Sequence, residues 1–110
     1  MGGDAGRRNL SIPELEELSN DCRKHIVKMI HNAGAGHPGG SLSAIDIIAA
    51  LYGTRLRFKT SEPDWEDRDR FVMSKGHASP AVYSILHEMG FLNEDDLSTF
   101  RTLGSVCQGH

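Results

Sequence analysis

The sequence has no long hydrophobic stretch and no excess of positive charge. Its longest apolar run, residues 44–52, is interrupted by Asp46 and is too short to cross a bilayer. The 12 lysines and arginines are outnumbered by 15 acidic residues, which gives no reason to expect binding to nucleic acid or anionic lipid. The first ten residues are polar and glycine-rich, unlike a secretory signal. These absences predict a cytoplasmic protein with no membrane partner and no nucleic-acid partner.

Cysteine is scarce as well. Cys22 and Cys107 are the two cysteines of the 110-residue chain, and they form neither a CxxC pair nor a His/Cys cluster with zinc-like spacing. A disulfide framework and a thiol-ligated metal are therefore not predicted, which fits a reducing compartment. The hydrophobic content of 38% and the charged content of 25% are ordinary for a globular protein.

The sequence divides into a short lead-in and one domain. Residues 1–10 are expected to be a disordered lead-in, and residues 11–110 are expected to form the domain. Ser11 and Glu14, in "SIPE", have the spacing of a capping box, and the apolar residues that follow recur at helical intervals. This pattern predicts a helix over residues 12–32.

A second helix is predicted over residues 42–52, with Ser41 as its N-cap and Gly53 as its stop. Its sequence, "LSAIDIIAALY", is apolar on nearly all sides, which indicates burial. The next segment, "TRLRF", alternates in polarity and is predicted to be a short strand or an extended segment.

The second half of the chain begins with a polar connection and then "FVMS", residues 71–74, which is predicted to be a buried strand. A third helix is predicted to begin at Ser79-Pro80 and to end at Gly90. Asn93 is expected to cap a fourth helix, "EDDLSTFRT", with Arg101 near its end.

This order of elements is typical of an α/β protein with a parallel sheet. A parallel sheet needs several strands joined by crossovers, whereas only one convincing strand is visible. We therefore expect a helix-rich opening part of a larger α/β domain.

A glycine-rich loop, "GAGHPGG", matches the G-x-G-x-x-G spacing of dinucleotide-binding turns through Gly34, Gly36 and Gly39. That fingerprint requires a strand before its first glycine, but a long amphipathic helix is predicted here. A tight helix–helix connection is one interpretation of the loop. The other is an anion site, because glycines let backbone amides approach a ligand and a helix N-terminus follows.

Three of the six histidines directly follow glycine in predicted loops: His37, His77 and His110. His77 follows the predicted strand and precedes a helix, at the edge where α/β sheets bind ligands. The other three histidines are not expected to belong to the candidate site. His25 and His31 lie on the predicted first helix, and His87 lies on the predicted third helix, where it is expected at the surface.

Three stretches together resemble the beginning of the transketolases, in the same order: "GAGHPGGSLSAIDIIAALY", "RDRFVMSKGHASPAVYSIL" and "SVCQGH". The resemblance extends from Leu15 to His110 and is strongest to split enzymes with separate N- and C-terminal subunits. It implies a thiamine-diphosphate-binding domain of three α/β/α layers with a parallel sheet, incomplete in this chain.

The resemblance also implies an activity and roles for the three histidines. Transketolases transfer a two-carbon ketol unit between ketose and aldose phosphates, a reaction of the pentose phosphate pathway, and they are oligomers. By this resemblance His37 and His110 contact the substrate, and His77 binds the diphosphate end of thiamine diphosphate. The expected partners are sugar phosphates and a C-terminal transketolase subunit or domain.

The family's next motif, G-D-G with a following asparagine pair, has no match in the sequence. The ligands of the Mg²⁺ ion that accompanies the cofactor are therefore expected outside this chain. We expect a truncated N-terminal portion that is inactive alone. Two alternatives remain: another thiamine-diphosphate synthase, such as 1-deoxyxylulose-5-phosphate synthase, and a non-catalytic helical interaction module.

Overall fold

The computed structural model describes residues 6–34, 36 and 38–108. Three helices pack against one another, and a short fourth helix lies against the first and third. Within this part of the chain, no helix is both long and apolar enough to span a membrane. The elements in chain order are α1 (Ile12–Ala33), α2 (Pro38–Ala50), a π-helical turn (Leu51–Arg55), a 3₁₀ turn (Gly76–Ala78), α3 (Ser79–Glu88) and α4 (Glu94–Ser98).

Helix α1 begins and ends as its sequence predicts. The Ser11 hydroxyl accepts a hydrogen bond from the amide of Glu14 at 3.3 Å. In return, the Glu14 carboxylate accepts one from the amide of Ser11 at 2.8 Å. At the other end Gly34 adopts the left-handed conformation with φ 70°, and its amide donates to the carbonyls of His31 and Ile30. At both ends, these hydrogen bonds satisfy backbone amides or carbonyls that a helix terminus otherwise leaves unpaired.

Helix α2 begins earlier than predicted, at Pro38 rather than residue 42, so Ser41 lies inside the helix and is not its N-cap. Proline suits the first turn of a helix for two reasons. Its ring fixes φ near the helical value, and an N–H at this position would have no acceptor within the helix. The predicted stop at Gly53 is also wrong, because the chain continues through the π-helical turn before it becomes extended at Leu56. Gly53 is buried, and a methyl group there would overlap the Leu15 side chain.

The main core lies between α1, α2 and α3, and a smaller cluster lies under α4. The predicted burial of α2 holds only in part: Ile45, Ile48 and Ala49 are buried, whereas Ile47 is 66% exposed. The main core consists of Leu18, Cys22, Ile26, Ile45, Ile48, Ala49, Tyr52, Phe58, Ala81 and Ile85. The smaller cluster consists of Met29, Leu97, Phe100 and Cys107. Both cysteines are free thiols, as expected.

The predicted strand at residues 71–74 does not form. Across the residues that the structure describes, β pairing is limited to an isolated antiparallel bridge between Arg7 and Arg57. Phe71 and Met73 pack against the main core, while Val72 between them is 82% exposed. The segment has the side-chain alternation of a strand without a paired neighbour, and a strand requires such a neighbour. The expected parallel sheet is thus missing from the described residues.

The N-terminal segment differs from the disordered lead-in that the sequence suggested. The carbonyl of Gly6 accepts a hydrogen bond from the amide of Phe58 at 3.0 Å, and the amide of Leu10 donates to the carbonyl of Gly53 at 3.1 Å. The guanidinium carbon of Arg8 lies 4.1 Å from the centre of the Phe58 ring. Residues 6–10 are therefore held against the chain that follows α2, and residues 1–5 lie outside the described residues.

Helix α3 follows the prediction, and α4 follows it in part. The side chains and backbones of Asn93 and Asp96 form a reciprocal capping box at the start of α4. That helix ends at Ser98, so Arg101 lies beyond its end instead of in its last turn. Arg101 has a left-handed φ of 66°, and its amide donates to the carbonyl of Cys107 at 2.9 Å.

Candidate functional site

Of the three histidines predicted to form a site, the structure describes His77. Its side chain is exposed in the 3₁₀ turn directly before α3. His37 and His110 lie outside the described residues, although the residues next to His37, Gly36 and Pro38, are described. The geometry of the candidate site is therefore built from the 3₁₀ turn and from the start of α2.

The glycine-rich loop and the His77 turn come together in the fold. A methyl group placed on Gly40 would lie 3.5 Å from Cε and 3.6 Å from Nζ of Lys75. The same methyl group would lie 3.8 Å from the Cβ of Ala78. These are ordinary van der Waals distances, so the first turn of α2 lies directly beside the segment that leads into α3.

A buried hydrogen bond holds this contact. The hydroxyl oxygen of Ser41, in the first turn of α2, accepts a hydrogen bond from the amide of Ala81, in the first turn of α3, at 3.2 Å. Ser41 is fully buried. The bond satisfies one of the amides that the start of α3 would otherwise leave unpaired, and it fixes the two helix starts relative to each other.

Gly34 and Gly36 allow the tight turn that connects α1 to α2. Gly34 ends α1, and Gly36 follows with φ 145°, a conformation that side-chain-bearing residues rarely adopt. A methyl group on Gly36 would lie 3.0 Å from Cγ1 of Ile30, so the loop passes close to α1. Since a helix and not a strand precedes these glycines, the structure does not have the setting of a dinucleotide-binding turn.

The electrostatics of this surface favour an anion. The starts of α2 and α3 each place the positive end of a helix dipole here, and neither first turn contains an acidic residue. The exposed Lys75 adds a cation beside Gly40. We call the region formed by Gly40, the buried Ser41, and the exposed Lys75 and His77 the paired helix starts.

Sequence reasoning finds His77 and the glycines but misses two features of the paired helix starts. Lys75 does not stand out in the sequence, although it lies two residues before His77 in "SKGH". Ser41 has the pattern of a helix cap, whereas its hydroxyl bonds to a different helix. A small polar residue directly after Gly39-Gly40 is the signal that could have indicated a close helix–helix approach.

Comparison with known proteins identifies the family. The profile described as "Transketolase, thiamine diphosphate binding domain" matches residues 15–110. The chain belongs to this family. The match covers α1 from residue 15 onward, the whole of α2, α3 and α4, and both segments that form the paired helix starts.

Curated relatives carry transketolase names. "Transketolase 1" of Vibrio vulnificus is 41% identical over 100 residues, which is 90% of this chain and 15% of that protein. One subunit of the apulose-4-phosphate transketolase of Phocaeicola vulgatus is 39% identical over 101 residues, which is 92% of this chain and 36% of that protein. The chain thus spans between a seventh and about a third of the length of these relatives.

The fold agrees with this assignment. The crystal structure of transketolase from Campylobacter jejuni matches with a TM-score of 0.84 and 41% identity, over 92% of this chain and 16% of that one. The expected fold class is confirmed in part: the chain matches a portion of a transketolase, and its described residues contribute helices to that portion.

Proposed function

We propose that this chain is the N-terminal portion of an active thiamine-diphosphate-dependent transketolase and that the paired helix starts receive the diphosphate end of the cofactor. The observation that carries this proposal is the buried Ser41–Ala81 hydrogen bond, which holds two helix N-termini side by side. The positive ends of the two helix dipoles and the Lys75 ammonium suit a multiply charged anion.

His77 is the residue of this surface best suited to contact the cofactor. Its exposed imidazole stands in the 3₁₀ turn that begins at Gly76, directly before the N-terminus of α3. An imidazole N–H can donate to a phosphate oxygen, and a charge-assisted bond of this type contributes about 1.5–3 kcal/mol. We assign His77 to diphosphate binding and Lys75 to electrostatic attraction of the same group.

The other two histidines are proposed to act on the substrate. Thiamine diphosphate, when bound, supplies a carbon nucleophile that stabilises the negative charge formed when the ketol unit is cleaved. His37, between Gly36 and Pro38, is assigned to proton exchange at a sugar hydroxyl, and His110 to contact with the terminal hydroxyl of the donor. Imidazole suits proton transfer because it titrates near neutral pH.

The paired helix starts do not fit a magnesium ion. Mg²⁺ takes carboxylate, phosphate and water oxygens, whereas this surface presents an ammonium group, an imidazole and the positive ends of two helices. We therefore place the protein ligands of Mg²⁺ outside this chain. We also propose that a C-terminal transketolase subunit or domain and an oligomeric assembly complete the site. Sugar phosphates of the pentose phosphate pathway are the proposed substrates, and the cytoplasm is the proposed location.

A chimera provides the test. The segment of the Vibrio vulnificus transketolase that aligns with this chain would be replaced by residues 11–110, and ketol transfer between a ketose phosphate and an aldose phosphate would be measured. We expect activity that depends on thiamine diphosphate and Mg²⁺. His77→Ala should raise the cofactor concentration for half-maximal activity by about tenfold or more, as expected for losing a charge-assisted hydrogen bond.

Two further variants separate the roles. His37→Ala should mainly lower the turnover number at saturating cofactor, and the matched control His31→Gln, an exposed change on α1, should resemble the unmodified chimera. A folded chimera without ketol transfer would contradict the function. Equal cofactor requirements for His77→Ala and His31→Gln would contradict the role assigned to His77.

A further inference from the structure

A second cluster of chemically active side chains lies away from the paired helix starts. It joins the middle of α1 to the C-terminal end of α3. Nε2 of His25 donates to Oε2 of Glu88 at 2.8 Å, and the rings of His25 and His87 meet edge to face with their centroids 4.8 Å apart. One potential ligand atom from each of these three residues lies within 4.8 Å of the other two.

The orientation of His87 prepares its ring for coordination. Its Nδ1 forms a hydrogen bond of 2.9 Å with the backbone carbonyl of Leu92. A carbonyl can only accept, so Nδ1 carries the proton and the lone pair of the ring lies on Nε2. Histidines that bind metals commonly donate their other ring nitrogen to a carbonyl or carboxylate in this way. The side chain of His87, which the sequence placed at the surface, is half-buried.

The cluster is reachable from solvent and lies in a negative environment. The side chains of His25 and Glu88 are 18% and 25% exposed. His25 also lines a surface cavity of about 320 Å³ between α1 and α4. Glu94, Asp95 and Lys28 line the same cavity, so its carboxylates outnumber its ammonium groups. Such a field attracts cations.

We propose that His25, His87 and Glu88 form a binding site for a zinc-class transition-metal ion that bridges α1 and α3. Two imidazoles and one carboxylate are a donor set suited to Zn²⁺, and a water molecule would take the fourth position. Magnesium and calcium prefer sites made of oxygen ligands. Zn²⁺ would take the Nε2 lone pair of a neutral His25, so the proton that Nε2 now donates to Glu88 would move to Nδ1 of the same ring, and Glu88 would bind the ion as a carboxylate.

The geometry requires a small adjustment. Zinc bonds of about 2.1 Å in a tetrahedral site place ligand atoms roughly 3.4 Å apart. The present ligand atoms lie within 4.8 Å, so they would have to approach one another by up to about 1.4 Å, and we assign this movement to the His25 and Glu88 side chains while His87 keeps its bond to Leu92. The site is distinct from the proposed cofactor surface, because Ser79 and Glu88 stand at opposite ends of α3, roughly 13 Å apart along a helix of that length.

The experiment uses the full chain and two probes. Zn²⁺ alone would be titrated while the thermal midpoint is followed by circular dichroism, and Co²⁺ alone would be titrated while its visible absorption is followed. The variants are His25→Gln, His87→Gln and Glu88→Gln. The matched control is His31→Gln, which alters an exposed histidine of α1 outside the cluster.

We expect Zn²⁺ to raise the midpoint of the unmodified chain and of His31→Gln, and Co²⁺ to give the strong visible bands of a four-coordinate ion in both. Each of the three cluster variants should bind at least about tenfold more weakly, since even outer-shell changes cost that much. Glu88→Gln keeps a hydrogen-bond acceptor for His25, so it separates metal binding from folding.

Three results would overturn the proposal. One is tight binding that persists unchanged in the His25→Gln and His87→Gln chains. Another is a weak, six-coordinate Co²⁺ spectrum in the unmodified chain. The third is a sulfur-to-cobalt band in the near ultraviolet, which would place the ion on Cys22 or Cys107.

Discussion

The Ser41 hydroxyl and the Ala81 amide join the first turns of α2 and α3 through a hydrogen bond of 3.2 Å that is buried from solvent. The bond lies between two motifs that are 40 residues apart in the chain. It ties the glycine-rich first turn of α2 to the start of α3. The position of His77 relative to the start of α2 depends on it.

We predict that Ser41→Ala lowers the free energy of unfolding by about 1–3 kcal/mol, because the buried Ala81 amide would lose its partner. Urea denaturation followed by circular dichroism measures this effect. Ser43→Ala is the control: the hydroxyl of Ser43 is exposed and bonds to the carbonyl of Gly40 in its own helix. A loss for Ser41→Ala no larger than for Ser43→Ala would contradict the structural role.

Gly90, after the end of α3, should tolerate a side chain poorly. It has a left-handed φ of 93°, and a methyl group there would lie 2.8 Å from Cγ2 of Thr60. Thr60 cannot easily move, since its hydroxyl donates to the carbonyl of Met89 at 2.6 Å. Gly90→Ala should lower the free energy of unfolding by about 1–2 kcal/mol from backbone strain, and further from this contact.

Gly104→Ala is the matched control for Gly90. Gly104 also has a positive φ, of 87°, but nothing lies within 4 Å of the added methyl group. Gly104→Ala should therefore lower the free energy of unfolding through backbone strain alone. Combining Gly90→Ala with Thr60→Ser removes the obstructing methyl and should recover part of the loss in thermal denaturation. The predicted contact between residue 90 and Thr60 would be contradicted if the two glycine variants lost equal stability and Thr60→Ser restored none of it.

The Arg57–Asp69 pair should make stability depend on pH in the acid range. The guanidinium and amide of Arg57 donate to the Asp69 carboxylate and hold its pKa below the ordinary value. A lowered folded-state pKa stabilises the fold fully above the ordinary value of about 3.9. The stabilisation is lost as the pH falls through the folded-state value.

Asp69→Asn should accordingly lower stability at neutral pH and flatten its decline below about pH 4, where the unmodified chain loses the ion pair. Denaturant titrations between neutral and acid pH measure both effects. Asp64→Asn, an exposed change in the same connection, is the control. If the decline is as steep in Asp69→Asn as in Asp64→Asn, the pair does not contribute to acid stability.

The bounds of α1 could be predicted because the signals are local. The Ser11–Glu14 box and the apolar repeat predict residues 12–32, and the helix spans Ile12–Ala33. The start of α2 could not be predicted in this way. Gly39 and Gly40 have poor helix propensity, yet α2 includes both because tertiary packing outweighs that cost.

Part of the candidate site could be predicted, because some of its signals are local in the sequence, whereas the rest depends on tertiary packing. Sequence spacing identifies His77 before a helix, but only the packing of α2 on α3 brings Lys75 beside Gly40. The His25–Glu88 contact joins residues 63 apart in the chain, and no motif connects them. The strand predicted at residues 71–74 failed because pairing depends on a neighbour that a segment's own pattern cannot supply.

Both native thiols should react slowly. Burial is the main cause that raises the pKa of Cys22 to about 12 and that of Cys107 to about 11. At neutral pH only about one Cys22 in 10⁵ is then the reactive thiolate. We expect reaction with a disulfide reagent to be far slower than for a free thiol and to accelerate in denaturant. Rapid modification of two thiols under native conditions would contradict this.

The burial of both cysteines has a practical consequence. A single cysteine introduced at an exposed position, such as Ile47 on α2, would be the one thiol that a maleimide dye meets in the folded protein. Fluorescent reporters could therefore be attached to α2 and followed while larger complexes form, without first replacing either native cysteine.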